Sequence, residues 1–77
     1  DDYYSPKIFS SLLEYGFNVL NLNKLWAEIY VNDLKKTSFF ELNKFTRDAV
    51  LRQHYYFEGS YIDSQIFSLL KKEYAFI

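Results

Sequence analysis

Apolar residues recur along most of this chain at three- and four-residue intervals, the spacing of one helix face. Ser5 and Pro6 form a helix start, an N-cap followed by a proline at the first helical position. Ile8, Phe9, Leu12 and Leu13 follow at helical spacing, and Gly16 supplies a residue able to take a left-handed cap. Asn21 or Asn23 can cap a second helix. Its stripe is Leu22, Leu25, Trp26, Ile29, Tyr30 and Leu34, and Lys35-Lys36 close it. Ser38-Phe39-Phe40-Glu41 reads as a capping box opening a third helix. Run unbroken to Phe57 it spans about 30 Å, with Gly59 as its stop. Tyr55-Tyr56-Phe57 has the composition of a short extended segment instead. Ser60 or Asp63 caps a last helix carrying Ile62, Ile66, Leu69, Leu70 and Tyr74, beyond which Ala75, Phe76 and Ile77 leave an apolar end.

No segment stands out as a sustained strict alternation, and no hairpin dipeptide is present. The pattern therefore predicts an all-α fold, a small bundle of four helices with short connections. Residues 1–77 read as a single helical domain with Asp1–Tyr4 as a loose arm.

Composition narrows the use of such a module. The chain has 77 residues, so its core is thin. It is 49% apolar with a net charge of -1, which excludes a disordered tail. No Cys is present, so disulfides, thiolate zinc sites and Cys nucleophiles are excluded. No uninterrupted apolar run is long enough to span a bilayer. The chain starts at Asp1 without a Met, which suggests a fragment or a product cut from a precursor, and a cytoplasmic setting is expected.

Candidate chemistry is sparse. His54 and Glu58 share a face on a helix, but zinc wants three or four protein ligands, and a surface His beside a helical neighbour explains the pair. No Gly-rich phosphate loop or nucleophile elbow occurs, and the carboxylates fall on polar faces. The chain thus reads as non-enzymatic, with no cofactor, no metal and no small-molecule substrate. Lys35, Lys36, Lys44, Arg47, Arg52, Lys71 and Lys72 form a possible basic stripe for nucleic acid, opposed by the slightly acidic balance. The aromatic load is the informative feature. Seventeen rings, 22% of the chain, exceed what four thin inner stripes need. An AT-rich genome would explain the supply of rings, and a surplus left in a patch points to a protein partner.

Lys24-Leu25-Trp26-Ala27-Glu28 followed by Asn32-Asp33-Leu34 resembles the second helix of the seventh non-structural protein of coronaviruses, a small helical polymerase cofactor of nidoviruses. Glu41-Leu42-Asn43-Lys44-Phe45 is similar to the opening of that family's third helix, and Gly59 with Asp63 to its last element. The resemblance implies a non-catalytic cofactor subunit, a polyprotein cleavage product in the host cytoplasm. Such a subunit binds an accessory subunit and the RNA-dependent RNA polymerase and supports processive synthesis, touching RNA only through the complex. Carried over by position, the partner-binding residues are Lys7, Phe9, Leu12 and Leu13 on the first helix and Leu25, Trp26, Ile29 and Asn32 on the second. Two further resemblances are the helical back half of a BTB adaptor domain (Pro6–Leu13, then Leu22–Val50) and a helix of ARID DNA-binding domains (Leu20–Trp26). They imply an adaptor module or a small nucleic-acid-binding helical domain.

Overall fold

The computed structural model describes residues 5–76. Its elements are α1 (Pro6–Glu14), a π-helical turn (Tyr15–Val19), β1 (Lys24–Tyr30), α2 (Leu34–Leu42), β2 (Thr46–Phe57), β3 (Ser60–Leu70) and a short α3 (Lys71–Tyr74). The strands form one sheet in the order β1-β3-β2. β2 and β3 pair antiparallel. Val31 N–H donates to the Asp63 carbonyl (3.1 Å) and Lys71 N–H to the Asn23 carbonyl (2.8 Å), so β1 and β3 run antiparallel as well. The fold is mixed α/β, and the all-α four-helix expectation is corrected. The expected loose arm at Asp1–Tyr4 lies outside the described residues, as does Ile77. Among the described residues no helix is long and apolar enough to cross a membrane.

Two compact units are present, 5–25 with 70–76 and 26–69. In the first, α1 stands where the sequence places it. Ser5 Oγ accepts the Ile8 N–H at 3.3 Å, Pro6 takes the first turn, and Phe9 and Leu13 are buried. Gly16 does not stop the helix. The chain continues through the π turn, with Leu20 N–H bonded to the Tyr15 carbonyl at 2.9 Å. Gly16 is needed for close approach instead, since a Cβ there would stand 3.0 Å from Leu25 Cδ1. Phe17 is fully buried and stacks on Tyr74 at 4.9 Å.

The second predicted helix is β1. Leu25, Trp26, Ile29 and Tyr30 satisfy a helical stripe, but burial alternates from residue to residue along Lys24–Tyr30, the period of a strand. Seven residues are too few for either period to exclude the other by sequence. Lys35 and Lys36, expected to close that helix, open α2 instead. Its N-cap is Asp33, whose carboxylate accepts the Lys36 N–H at 3.1 Å.

The third predicted helix is split. α2 ends at Leu42 in a Schellman motif. Lys44 takes φ 70°, its N–H bonds to the Glu41 carbonyl (3.1 Å), and Phe45 N–H bonds to the Phe40 carbonyl (3.0 Å). The hydrophobic contact that accompanies such caps is present as an edge-on Phe40–Phe45 pair at 5.0 Å. The chain leaves this cap as β2, so the reading of Tyr55–Phe57 as extended holds for a much longer segment.

The fourth predicted helix is β3, the central strand, with neighbours on both sides and side chains buried on both faces: Ser64, Gln65, Phe67, Ser68 and Leu69. α2 covers one face of it. Phe40 stacks on Phe67 at 6.3 Å, and Gln65 Nε2 donates to Thr37 Oγ1 at 2.9 Å.

Candidate functional site

The other face of the sheet within the 26–69 unit carries the chemistry. Glu28 and Tyr30 point the same way from β1, because side chains two apart on a strand share a face. Ser64 on β3 joins that face by donating its hydroxyl to Glu28 Oε2 at 2.7 Å. His54 on β2 reaches the same oxygen, with Nε2 at 3.4 Å. Two strands thus each bring one side chain to a carboxylate carried by the third. Among the described residues Glu28 Oε1 has no hydrogen-bond partner, and the Glu28 side chain is one-third exposed.

Ser, His and Glu together invite comparison with a nucleophilic triad, and the geometry excludes it. In a triad the imidazole stands between hydroxyl and carboxylate. Here the carboxylate stands between, and Ser64 gives its proton to Glu28, not to His54. Ser64 is also fully buried and cannot meet a substrate. The arrangement instead orients a partly exposed carboxylate through one oxygen and leaves the other without a hydrogen bond among the described residues. Such a group attracts an ammonium ion, holds it by a charge-assisted hydrogen bond and can accept its proton.

Beyond Glu28, at the end of β1, Tyr30 and Tyr55 stack at 4.0 Å. They line an open concavity of about 440 Å³ with Asn32, Leu34, Lys35 and Phe57. On the same face, at the other end of β2, Ser68 Oγ donates to Asp48 Oδ2 at 2.6 Å.

The partner-binding residues expected from sequence differ in burial and are divided between the two units. Phe9, Leu13 and Ile29 are buried, and Leu25 is half-buried. Lys7 and Asn32 are exposed, Leu12 is 41% exposed and Trp26 is 63% exposed. Lys7, Phe9, Leu12, Leu13 and Leu25 belong to one unit, and Trp26, Ile29 and Asn32 to the other. Of these only Asn32 borders the concavity. His54 and Glu58 lie on β2 and on the turn after it, not on a helix, and among the described residues no group of three or more acidic or His side chains could hold a metal. Sequence reasoning passed over Glu28, Ser64 and Asp63. The alternation along Lys24–Tyr30 was the signal that would have brought Glu28 to a sheet face.

No family model matches this chain. It is 32% identical over 72 residues to an uncharacterised N-acetyltransferase, p20, of Bacillus licheniformis, covering 94% of this chain and 40% of that protein. A solved chimera of the spermidine N-acetyltransferase SpeG of Vibrio cholerae with hSSAT superposes with a TM-score of 0.82 at 25% identity, covering 90% of this chain and 42% of the other. Mutant forms of the spermidine/spermine N-acetyltransferase SpeG from Vibrio cholerae give a TM-score of 0.85 at 24% identity, over 94% and 43% of the two chains. The chain therefore spans about 40% of the length of the curated relative and of these solved structures.

These findings overturn the viral polymerase-cofactor reading and, with it, the polymerase and accessory-subunit partners, the non-enzymatic role and the absence of a small-molecule substrate. The string Lys24–Glu28 that carried the resemblance lies on a strand, so it cannot be that family's helix. The BTB-like adaptor and ARID-like readings fall for the same reason, since each required a helix across β1, and the nucleic-acid reading loses the two helices on which its basic residues were to align, β2 and β3 standing there instead. The basic stripe dissolves too, its residues being spread over α2, the turn after it, β2 and α3.

Proposed function

We propose that this chain is the part of an N-acetyltransferase that receives the acceptor amine, with Glu28 as the carboxylate that binds it and takes its proton. The observation that carries this reading is the one-third-exposed carboxylate met at Oε2 by Ser64 and His54, with no hydrogen bond to Oε1 among the described residues. The relatives, named N-acetyltransferases and in part spermidine N-acetyltransferases, supply the reaction class. An amine is protonated at neutral pH and cannot attack an acyl carbon until it loses a proton. Glu28 holds the ammonium in place and accepts that proton first; the freed amine then attacks, the bond from the acetyl carbon to its carrier breaks as the N–C bond is completed, and the nitrogen's second proton passes to the departing carrier thiolate. The aromatic concavity beyond Glu28 suits the organic part of the acceptor.

The described residues do not fit the phosphates of a coenzyme A donor. The chain has two glycines, neither in a phosphate loop. The N-terminus of α2 is occupied by the Asp33 carboxylate, an anion where a phosphate would have to sit. Holding the donor is therefore not assigned to them. A cytoplasmic setting belongs to the same proposal. Contact of a protein partner with the exposed Lys7, Leu12, Trp26 and Asn32 remains a separate one.

The test is thiol release from acetyl-CoA by the protein at its natural full length, with spermidine, spermine and a panel of other primary amines. Amine-dependent release is expected, and Glu28→Gln should lower kcat/KM by about 100-fold. No release above background with any amine, or a fully active Glu28→Gln, would reject the proposal.

A further inference from the structure

We infer that a bulge in β2 is a positioning device: Asp63 tethers the bulge, and the tether is what brings His54 to Glu28. The catalytic consequence rests on the reading of Glu28 proposed above, whereas the tether itself does not.

The register shows why a device is needed. Leu51 pairs with Ser64 and Tyr55 pairs with Ile62, so three residues of β2, 52–54, face the single residue Asp63. Leu51 lies on the Glu28 face because its partner Ser64 does. Tyr55 lies there too, stacked on Tyr30. Strict alternation from Leu51 puts His54 on the opposite face, and counting back from Tyr55 gives the same answer. Yet His54 meets Glu28 at 3.4 Å. The bulge turns it round, and it does so through Gln53 at φ 49°, a left-handed backbone that a residue with a side chain resists.

Packing does not hold this conformation. β2 is an outer strand of the described sheet, and Val50–Gln53 and Asp63 border an open concavity of about 640 Å³. What holds it is one charge-assisted hydrogen bond, Gln53 N–H to Asp63 Oδ1 at 2.9 Å. The Asp63 carbonyl meanwhile accepts the Val31 N–H just past β1. Asp63 thus ties the bulge that carries His54 to the end of the strand that carries Glu28.

The experiment uses the full-length protein and two readouts, the steady-state constants for the amine and the His54 imidazole NMR signals. In the parent, Glu28→Gln should displace the His54 signals. In an Asp63→Ala background that displacement should vanish, and kcat should fall about tenfold with KM for the amine little changed. Asp63→Asn keeps an accepting oxygen and should restore both. Gln53→Pro removes the donor and, with φ locked at about −65°, also forbids the left-handed turn, so it should abolish the displacement as Asp63→Ala does. Gln53→Gly keeps the donor and should behave as the parent. An active enzyme whose kcat and His54 signals ignore both Asp63→Ala and Gln53→Pro overturns the device alone. A protein that acetylates no amine but keeps the tether-dependent His54 response loses the functional reading and retains the device.

Discussion

Lys44 offers a stability test that depends on one backbone angle. It sits at the left-handed position of the cap that ends α2, with φ 70°, and its side chain is exposed. For a residue with a Cβ that conformation costs about 1–2 kcal/mol. Glycine there avoids the cost but brings back about 0.5–1 kcal/mol through the greater freedom of the unfolded chain. The cap's hydrogen bonds, from Lys44 N–H and Phe45 N–H, use backbone only and survive the change. Lys44→Gly should therefore stabilise by about 0.5–1 kcal/mol. Urea unfolding followed by circular dichroism reads this directly. The midpoint should rise by about 0.2–1 M with an unchanged slope, since slopes are about 1–3 kcal/mol/M. Lys44→Ala is the control, because it removes the same side chain and leaves the angle unfavourable. If glycine and alanine move the midpoint equally, or glycine lowers it, the left-handed strain is not a cost and the reasoning fails.

Three further outcomes are expected. Phe67→Ala removes a 1% exposed ring stacked near Phe40 and should cost about 3–5 kcal/mol in the same unfolding assay. Thr37→Val removes the oxygen that the buried Gln65 donates its Nε2 to and should cost about 1–3 kcal/mol, with Thr37→Ser recovering most of it. Trp26→Ala, at 63% exposure, should change stability by less than about 0.5 kcal/mol; a loss of core size would show that the ring is covered in the intact protein.

The first helix was legible because its signals are local. Ser5, Pro6, Phe9 and Leu13 act within one stretch of eight or nine residues, and each does what its type and spacing imply. The end of α2 was not legible, because its cap uses Lys44 where a glycine would have announced the stop. With that signal missing, Val50, Leu51 and Tyr56 extended the helical stripe and β2 disappeared into it. The candidate site failed for a related reason. Glu28 reads as one more charge on a polar helix face until β3 places Ser64 against it. His54 reads as a helical neighbour of Glu58 until the bulge turns it toward β1.

From the residues alone came the limits: one small, thin-cored stretch without thiol chemistry, a capped first helix, and more rings than its inner stripes need. Trp26, Tyr56, Tyr61 and Phe76 are exposed accordingly. The tertiary structure decided that the middle and end of the chain are strands. A helix closes its hydrogen bonds within four residues, so its evidence lies in the adjacent sequence. A strand closes them on a distant segment, and that partner also decides which polar side chains can be buried. Ser64 and Ser68 sit in the sheet interior because Glu28 and Asp48, 36 and 20 residues away in sequence, accept their protons. Without those acceptors the same serines look like the solvent side of a helix.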